Sequence, residues 1–163
     1  MFYAEVHVGT VARLREILLD LVHQRKPPSV IYLYIFSDGG CAYSGMCAYD
    51  IIRTCKIPVH TIIDGTALSA ATYLSIAGTK RFILENANYM IHQISTEFTG
   101  RYSDMKVEWK SMKDMMDRSV NIYERHCHLS RNEIMDCMKR NTMMDAEACK
   151  QHGFIDEIIT TSS

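Results

Sequence analysis

The feature that most restricts the fold is the run Val30-Ile31-Tyr32-Leu33-Tyr34-Ile35-Phe36, apolar or aromatic throughout and broken by Ser37-Asp38-Gly39-Gly40. Such a segment has no face suited to water. It therefore predicts a strand covered on both sides, as in a parallel sheet clad by helices. The flanking pattern agrees. Phe2–Val8 alternates loosely as a first strand, and Thr10–Arg25 places Val11, Leu14, Leu18, Leu21 and Val22 at helical spacing, with Thr10 as N-cap and Pro27-Pro28 as the stop. Ser44–Lys56 reads as a second helix ended before Pro58, and Val59–Ile63 as a third strand followed by an Asp64-Gly65-Thr66 turn. A helix of small residues runs from about Ser69 to Ala77, with short strands at Arg81–Leu84 and Tyr89–Ile91. Strand and helix in alternation predict an α/β fold of βαβ units with a mainly parallel sheet.

The segment Ser103–His128 contains neither Gly nor Pro. Met105, Trp109, Met112, Met116, Val120, Tyr123 and Cys127 recur along it at steps of three and four, which is one stripe down a helix. At 1.5 Å per residue the helix would be about 39 Å long, longer than a domain of this size encloses, so part of the stripe is expected to pack on a partner. Methionines at 105, 112, 115 and 116 suit an adaptable interface. Helices at Arg131–Lys139 and Asp145–His152 and a strand at Ile155–Ile159 complete the chain.

Composition removes several classes of function. The length of 163 residues predicts one domain spanning 1–163. A formal net charge of -1 and a pI of about 6.6 lack the basic excess of a nucleic-acid binder. No apolar run approaches the ~20 residues needed to cross a bilayer, and the N-terminal region lacks a signal peptide's pattern. The six cysteines form no paired C-x-x-C arrangement and read as free thiols of a reducing, cytoplasmic compartment. His126-Cys127-His128 is not expected to hold a metal, because adjacent helical residues point about 100° apart. No cofactor is implied.

Three segments carry groups suited to chemistry. In Gly65-Thr66-Ala67-Leu68-Ser69-Ala70-Ala71, a serine stands between a strand-ending turn and a helix, where the Ala70 N–H and the helix dipole favour an oxyanion; read alone, it is an ordinary N-cap. Met90-Ile91-His92-Gln93 sets a histidine at a strand end. The paired glycines after Asp38 let backbone approach a ligand and present N–H groups.

Taken in order, these segments resemble the Clp protease family, serine peptidases of the ClpP/crotonase-like fold. Tyr32 through Gly40 resembles the family's strand ending in N-S-P-G-G. Ile57-Pro58-Val59-His60-Thr61-Ile62 through Ser69 resembles its P-V-x-T-x-x-x-G-x-A-x-S segment. Met90-Ile91-His92-Gln93 matches its M-I-H-Q, and Glu147-Ala148 through Asp156 resembles its E-A-x-x-x-G-L-I-D ending. The resemblance implies a superhelix of βαβ units with a protruding handle helix. It implies Ser69 as nucleophile, His92 as general base, and the N–H groups of Gly39 and Ala70 as oxyanion hole. It implies that the strand segments Gly40-Cys41-Ala42 and Gln93-Ile94-Ser95 bind a polypeptide substrate as an added strand. It further implies self-association into stacked heptameric rings, a tetradecamer, through the handle (Met105, Trp109, Met112, Met116) and Arg140.

Two departures accompany the resemblance. Counting back from Gly153, the family's triad aspartate falls on Asn141, which accepts a hydrogen bond but supplies no charge to an imidazolium, so reduced activity is expected. The chain also starts almost directly in its first strand, whereas the family carries an extension there that forms axial pore loops; docking to the family's AAA+ unfoldase is accordingly expected to be impaired. Asp38 and Ile94 replace family prolines. The sequence thus predicts an endopeptidase subunit working through an acyl-enzyme. A catalytically impaired structural or regulatory subunit is the second reading. A crotonase-type acyl-CoA enzyme, which gives Ser69 and His92 no joint role, is the third.

Overall fold

The computed structural model describes residues 1–160. Its strands are β1 (Phe2–Tyr3), β2 (Ile31–Ser37), β3 (Val59–Leu68), β4 (Lys80–Leu84), β5 (Asn88–Met90) and β6 (Glu157–Ile159). Its helices are α1 (Val8–Val22), α2 (Ala42–Arg53), α3 (Ala71–Ile76), α4 (Tyr102–Glu124), α5 (Arg131–Arg140) and α6 (Ala146–His152). The sheet runs β1-β2-β3-β4-β6 with every pairing parallel, and β5 pairs with β3 off that path. The predicted α/β architecture with a mainly parallel sheet and a long helix is therefore present.

Several boundaries differ from those predicted, each for a local reason. His7, not Thr10, caps α1: its Nδ1 accepts from the Gly9 N–H at 3.1 Å, while Thr10 Oγ1 accepts from the His7 N–H at 3.0 Å, a reciprocal capping pair. The first strand is correspondingly cut to Phe2–Tyr3. Asp64-Gly65-Thr66 is no turn, because β3 continues through it to Leu68. The final strand begins at Glu157 instead of Ile155.

β2 is not covered on both faces. Ile31, Leu33, Ile35 and Ser37 are buried, whereas Tyr32, Tyr34 and Phe36 are exposed. The buried set joins Leu14 and Leu18 of α1 and Ile52 of α2 in the core. The aromatic set forms an open face, where Tyr3 meets Phe36 edge-on at 5.8 Å and Tyr32 meets His60 at 5.4 Å. An all-apolar strand and an alternating one differ here only in which side chains are aromatic, a distinction the hydropathy pattern does not make.

β3 changes partner midway. Its residues His60–Ile63 pair with Lys80–Ile83 of β4, and Thr66–Leu68 pair with Asn88–Met90 of β5. A register shift against β2 between Ile35 and Ser37 accompanies the change.

The long helix α4 stops at Glu124, short of the predicted His128. Its C-terminal half is buried through Met115, Ser119, Val120, Ile122 and Tyr123, but Met105 is 55% and Trp109 72% exposed. Two hydroxyl pairs tie it to α3: Thr72 Oγ1 lies 2.7 Å from Tyr123 Oη, and Tyr73 Oη lies 2.7 Å from Ser119 Oγ. Arg81 anchors the C-terminal segment, donating to the carbonyls of His126 (3.0 Å) and Gly153 (2.9 Å) and pairing with Asp156. Among the described residues no helix is long and apolar enough to cross a membrane, and no group of three or more His, Cys, Asp or Glu is placed to hold a metal. His126 of the His-Cys-His segment instead has Nε2 2.7 Å from Tyr49 Oη.

Candidate active site

The partner change in β3 creates the site. Because β3 and β5 run parallel and in register as far as Leu68 and Met90, the residues that follow them leave the sheet at the same edge. Ser69 follows directly, and its N–H donates to the Met90 carbonyl at 2.8 Å as the last rung of the ladder. Ser69 has φ 55, in the left-handed region that serine seldom occupies. A non-glycine residue held there costs about 1–3 kcal/mol and persists where surrounding contacts impose it. The consequence is a sharp strand-to-helix turn that lifts its hydroxyl off the sheet, the logic of a nucleophile elbow. Ser69 is thus not the N-cap of α3: Ala70 holds that position, without a side-chain cap bond.

His92 lies just past β5, and its Nε2 is 2.6 Å from Ser69 Oγ. Its Nδ1 is 2.6 Å from the Gln93 carbonyl oxygen. A carbonyl only accepts, so Nδ1 carries the proton in this contact and the Nε2 lone pair faces the serine hydroxyl. The ring is therefore held by backbone in the tautomer that accepts a proton from Ser69.

Asn141, counted to the triad position, is not hydrogen-bonded to His92 in this structure. It closes α5 in the left-handed region at φ 51, is exposed, and makes no hydrogen bond to His92. Asparagine is among the few non-glycine residues that tolerate this backbone, which accounts for it as a helix terminator. Arg140 beside it is also exposed, with Asp136 at 3.9 Å.

The glycine pair sits against the serine turn. Gly39 has φ 101, and a β-carbon there would lie 2.6 Å from both the Leu68 carbonyl oxygen and Ser69 Cβ. Only glycine admits that approach. The Gly39 N–H donates to the buried Ser37 Oγ at a long 3.2 Å, and the Ala70 N–H has no hydrogen-bond partner among the described residues. Gly40 (φ 141) packs on Val6, whose N–H donates to the Gly39 carbonyl at 2.7 Å and whose carbonyl accepts from Cys41 at 2.8 Å.

Gly40-Cys41-Ala42 is not a strand, since Cys41 caps α2 and Ala42 begins it. The Cys41 N–H is already taken by Val6 and its carbonyl by the Gly45 N–H. The Ser44 hydroxyl and amide hold the Cys41 thiol below its ordinary pKa. Opposite, the Gln93 N–H donates to the Met138 carbonyl at 3.2 Å and the Ile94 N–H approaches Met116 Sδ at 3.1 Å. A cleft of about 360 Å³ opens between these segments, and Ser69, His92, Gly40, Cys41, Ala42, Ile94 and Ser95 line it.

The far wall of this cleft is formed by Glu108, Ser111, Met112 and Met115 of α4; sequence reading passed over Glu108 and Ser111 and gave the two methionines to a subunit interface. Tyr43 of α2 reaches it, with its hydroxyl 3.1 Å from Ser111 Oγ. The signal was present, since 108, 111, 112 and 115 lie on one helical face, but the face mixes polar and apolar residues and an apolar count passes over it.

Comparison with known proteins places the chain in a family. The chain is 36% identical over 143 residues to the ATP-dependent Clp protease proteolytic subunit of Deinococcus radiodurans, an alignment covering 86% of this chain and 70% of that protein. A sequence model described as Clp protease matches residues 1–162. A serine and histidine in contact at the ends of adjacent parallel strands, beside a glycine pair, thus occur in a chain that belongs to the Clp protease family.

Proposed function

We propose that this chain is a serine endopeptidase subunit acting as one domain on small or unfolded polypeptides. The observation that carries the reading is the 2.6 Å contact between Ser69 Oγ and His92 Nε2, with Nδ1 occupied by a carbonyl. Ser69 Oγ attacks the peptide carbonyl while its proton passes to His92 Nε2, giving a tetrahedral oxyanion and an imidazolium. The Ala70 N–H, which has no other partner, and the Gly39 N–H, turned from Ser37 Oγ, stabilise that oxyanion. The imidazolium then protonates the departing amine. Water, deprotonated by the same nitrogen, hydrolyses the ester to release the acid and restore Ser69.

Ring assembly follows from the same family reading. The exposed Met105 and Trp109 on α4 supply an apolar surface for a second copy, and stacked heptameric rings would enclose the cleft. An AAA+ unfoldase is the partner such rings use to admit folded clients. Six free cysteines suit a reducing compartment, the cytoplasm.

A second reading, an assembled subunit with little activity of its own, is favoured by one observation: among the described residues no carboxylate hydrogen-bonds His92 Nδ1. Fluorophosphonate labelling with intact-mass readout separates the two. One adduct per native chain and none on Ser69→Ala is the expected result. Absence of an adduct on assembled native protein refutes the peptidase reading.

A further inference from the structure

Glu108 lies half-buried on the face of α4 that walls the cleft, together with Ser111, Met112 and Met115. It is the single carboxylate among the residues lining that cleft, and it forms no ion pair or hydrogen bond with any described residue. Lys106, two residues earlier on the same helix, is turned elsewhere, with its Nζ 4.7 Å from the centre of the Tyr102 ring. The Tyr43–Ser111 contact braces this part of α4 against α2, so Glu108 is held at the cleft. Met112, Met115 and Ile94 are apolar members of the same lining.

A carboxylate without a partner in a cleft that also holds two methionines and the serine–histidine pair is chemically complementary to a long side chain with a cationic tip. The methylene stem of Lys or Arg packs along methionine side chains while the head reaches the carboxylate. Asp or Glu at the same substrate position would meet like charge in a partly desolvated site. We infer that this cleft selects polypeptide substrates carrying Lys or Arg at the residue whose carbonyl Ser69 attacks, with Glu108 as the specificity determinant. This inference rests on the serine peptidase reading above for its chemistry, but its binding component stands independently.

The test uses assembled full-length protein and tripeptidyl aminomethylcoumarins differing only in Arg, Leu or Glu at the residue bearing the coumarin amide. The Arg peptide is expected to have the highest kcat/KM and the Glu peptide the lowest. In Glu108→Gln the Arg-to-Leu ratio falls about tenfold, the size of one charge-assisted hydrogen bond discounted for a half-exposed site. In Glu108→Lys the order of the Arg and Glu peptides reverses. Binding of fluorescent, uncleaved versions of the three peptides to Ser69→Ala, measured by anisotropy, gives the same ranking without turnover. A binding preference for Arg that Glu108→Gln removes, with no cleavage by the native protein, supports the pocket and defeats the peptidase reading. Equal handling of Arg and Leu, or a ratio unchanged in Glu108→Gln, overturns the inference while leaving that reading intact. Loss of assembly in Glu108→Gln, seen by sedimentation, places the carboxylate in a subunit contact and also overturns it.

Discussion

Replacing Gly39 by alanine tests whether the glycine pair positions the nucleophile. At φ 101 an alanine is strained by about 1–3 kcal/mol even with space around it. There is no space: its β-carbon would lie 2.6 Å from the Leu68 carbonyl oxygen and 2.6 Å from Ser69 Cβ. Non-bonded carbon atoms settle at about 3.5–4.0 Å, so the loop and the serine turn must part by about 1 Å. Both neighbours belong to the turn that carries Ser69, the proposed nucleophile, so no flexible side chain absorbs the movement. A misplacement of about 1 Å at a reacting group costs about 100-fold in rate. The strain alone lowers Tm by about 3–10 °C in a domain of this length. The assay is the second-order rate of fluorophosphonate labelling at a temperature well below the transition of both proteins, with circular dichroism to establish that each is folded. Labelling of folded Gly39→Ala within threefold of native would refute the positional argument.

Other expectations follow from single features. Asn141→Asp changes the labelling rate by less than about threefold, because His92 Nδ1 is held by the Gln93 carbonyl; a triad position responds by about 10⁴, so a large rise would place residue 141 in the triad. Burial, reinforced by Arg53, Arg81 and Arg125, lowers the His126 pKa to about 4. The unfolded chain, with its histidine near 6.5, then binds more protons between these values, so stability is complete above about pH 6.5 and declines as pH falls toward 4. Discounted for partial exposure the loss is about 1–2 kcal/mol, and urea titrations across that window should show a shallower slope in His126→Gln. Ser75 Oγ is buried without a partner, so Ser75→Ala raises Tm by about 2–6 °C, and a fall would show a hidden hydrogen bond. Arg81→Met strands the His126 and Gly153 carbonyls and Asp156, at a cost of about 2–4 kcal/mol by chemical denaturation.

The elements of the fold were legible because period and punctuation are local properties. Pro27-Pro28, Pro58 and the glycines after Asp38 bracket helices and strands in the sequence itself, and the structure places element boundaries near each. What escaped depends on partners distant in sequence. Asp64-Gly65-Thr66 has turn composition, yet β5, some twenty residues away, supplies a ladder that keeps it extended. Val30–Phe36 gave no warning that its aromatic residues would share one open face. Ser69 and His92 were paired through family resemblance, since nothing in either segment alone states that β3 and β5 are neighbours. Register counting assigned Asn141 a place beside His92, but the count does not convey that a left-handed helix terminus turns it to the surface. The stripe through Met105 and Trp109 stood out by hydropathy, while the cleft-facing residues of the same helix carry one charge and one hydroxyl among two methionines.

The rung from the Ser69 N–H to the Met90 carbonyl gives this site a built-in reporter. Ser69 and His92 are spaced by strand alignment, not by a loop, so a slip of one residue between β3 and β5 would displace His92 by about 3.3 Å and turn it to the opposite side of the sheet. Hydrogen–deuterium exchange at the Ser69 amide therefore reads out, at a single backbone position, whether the alignment that brings Ser69 to His92 is in place.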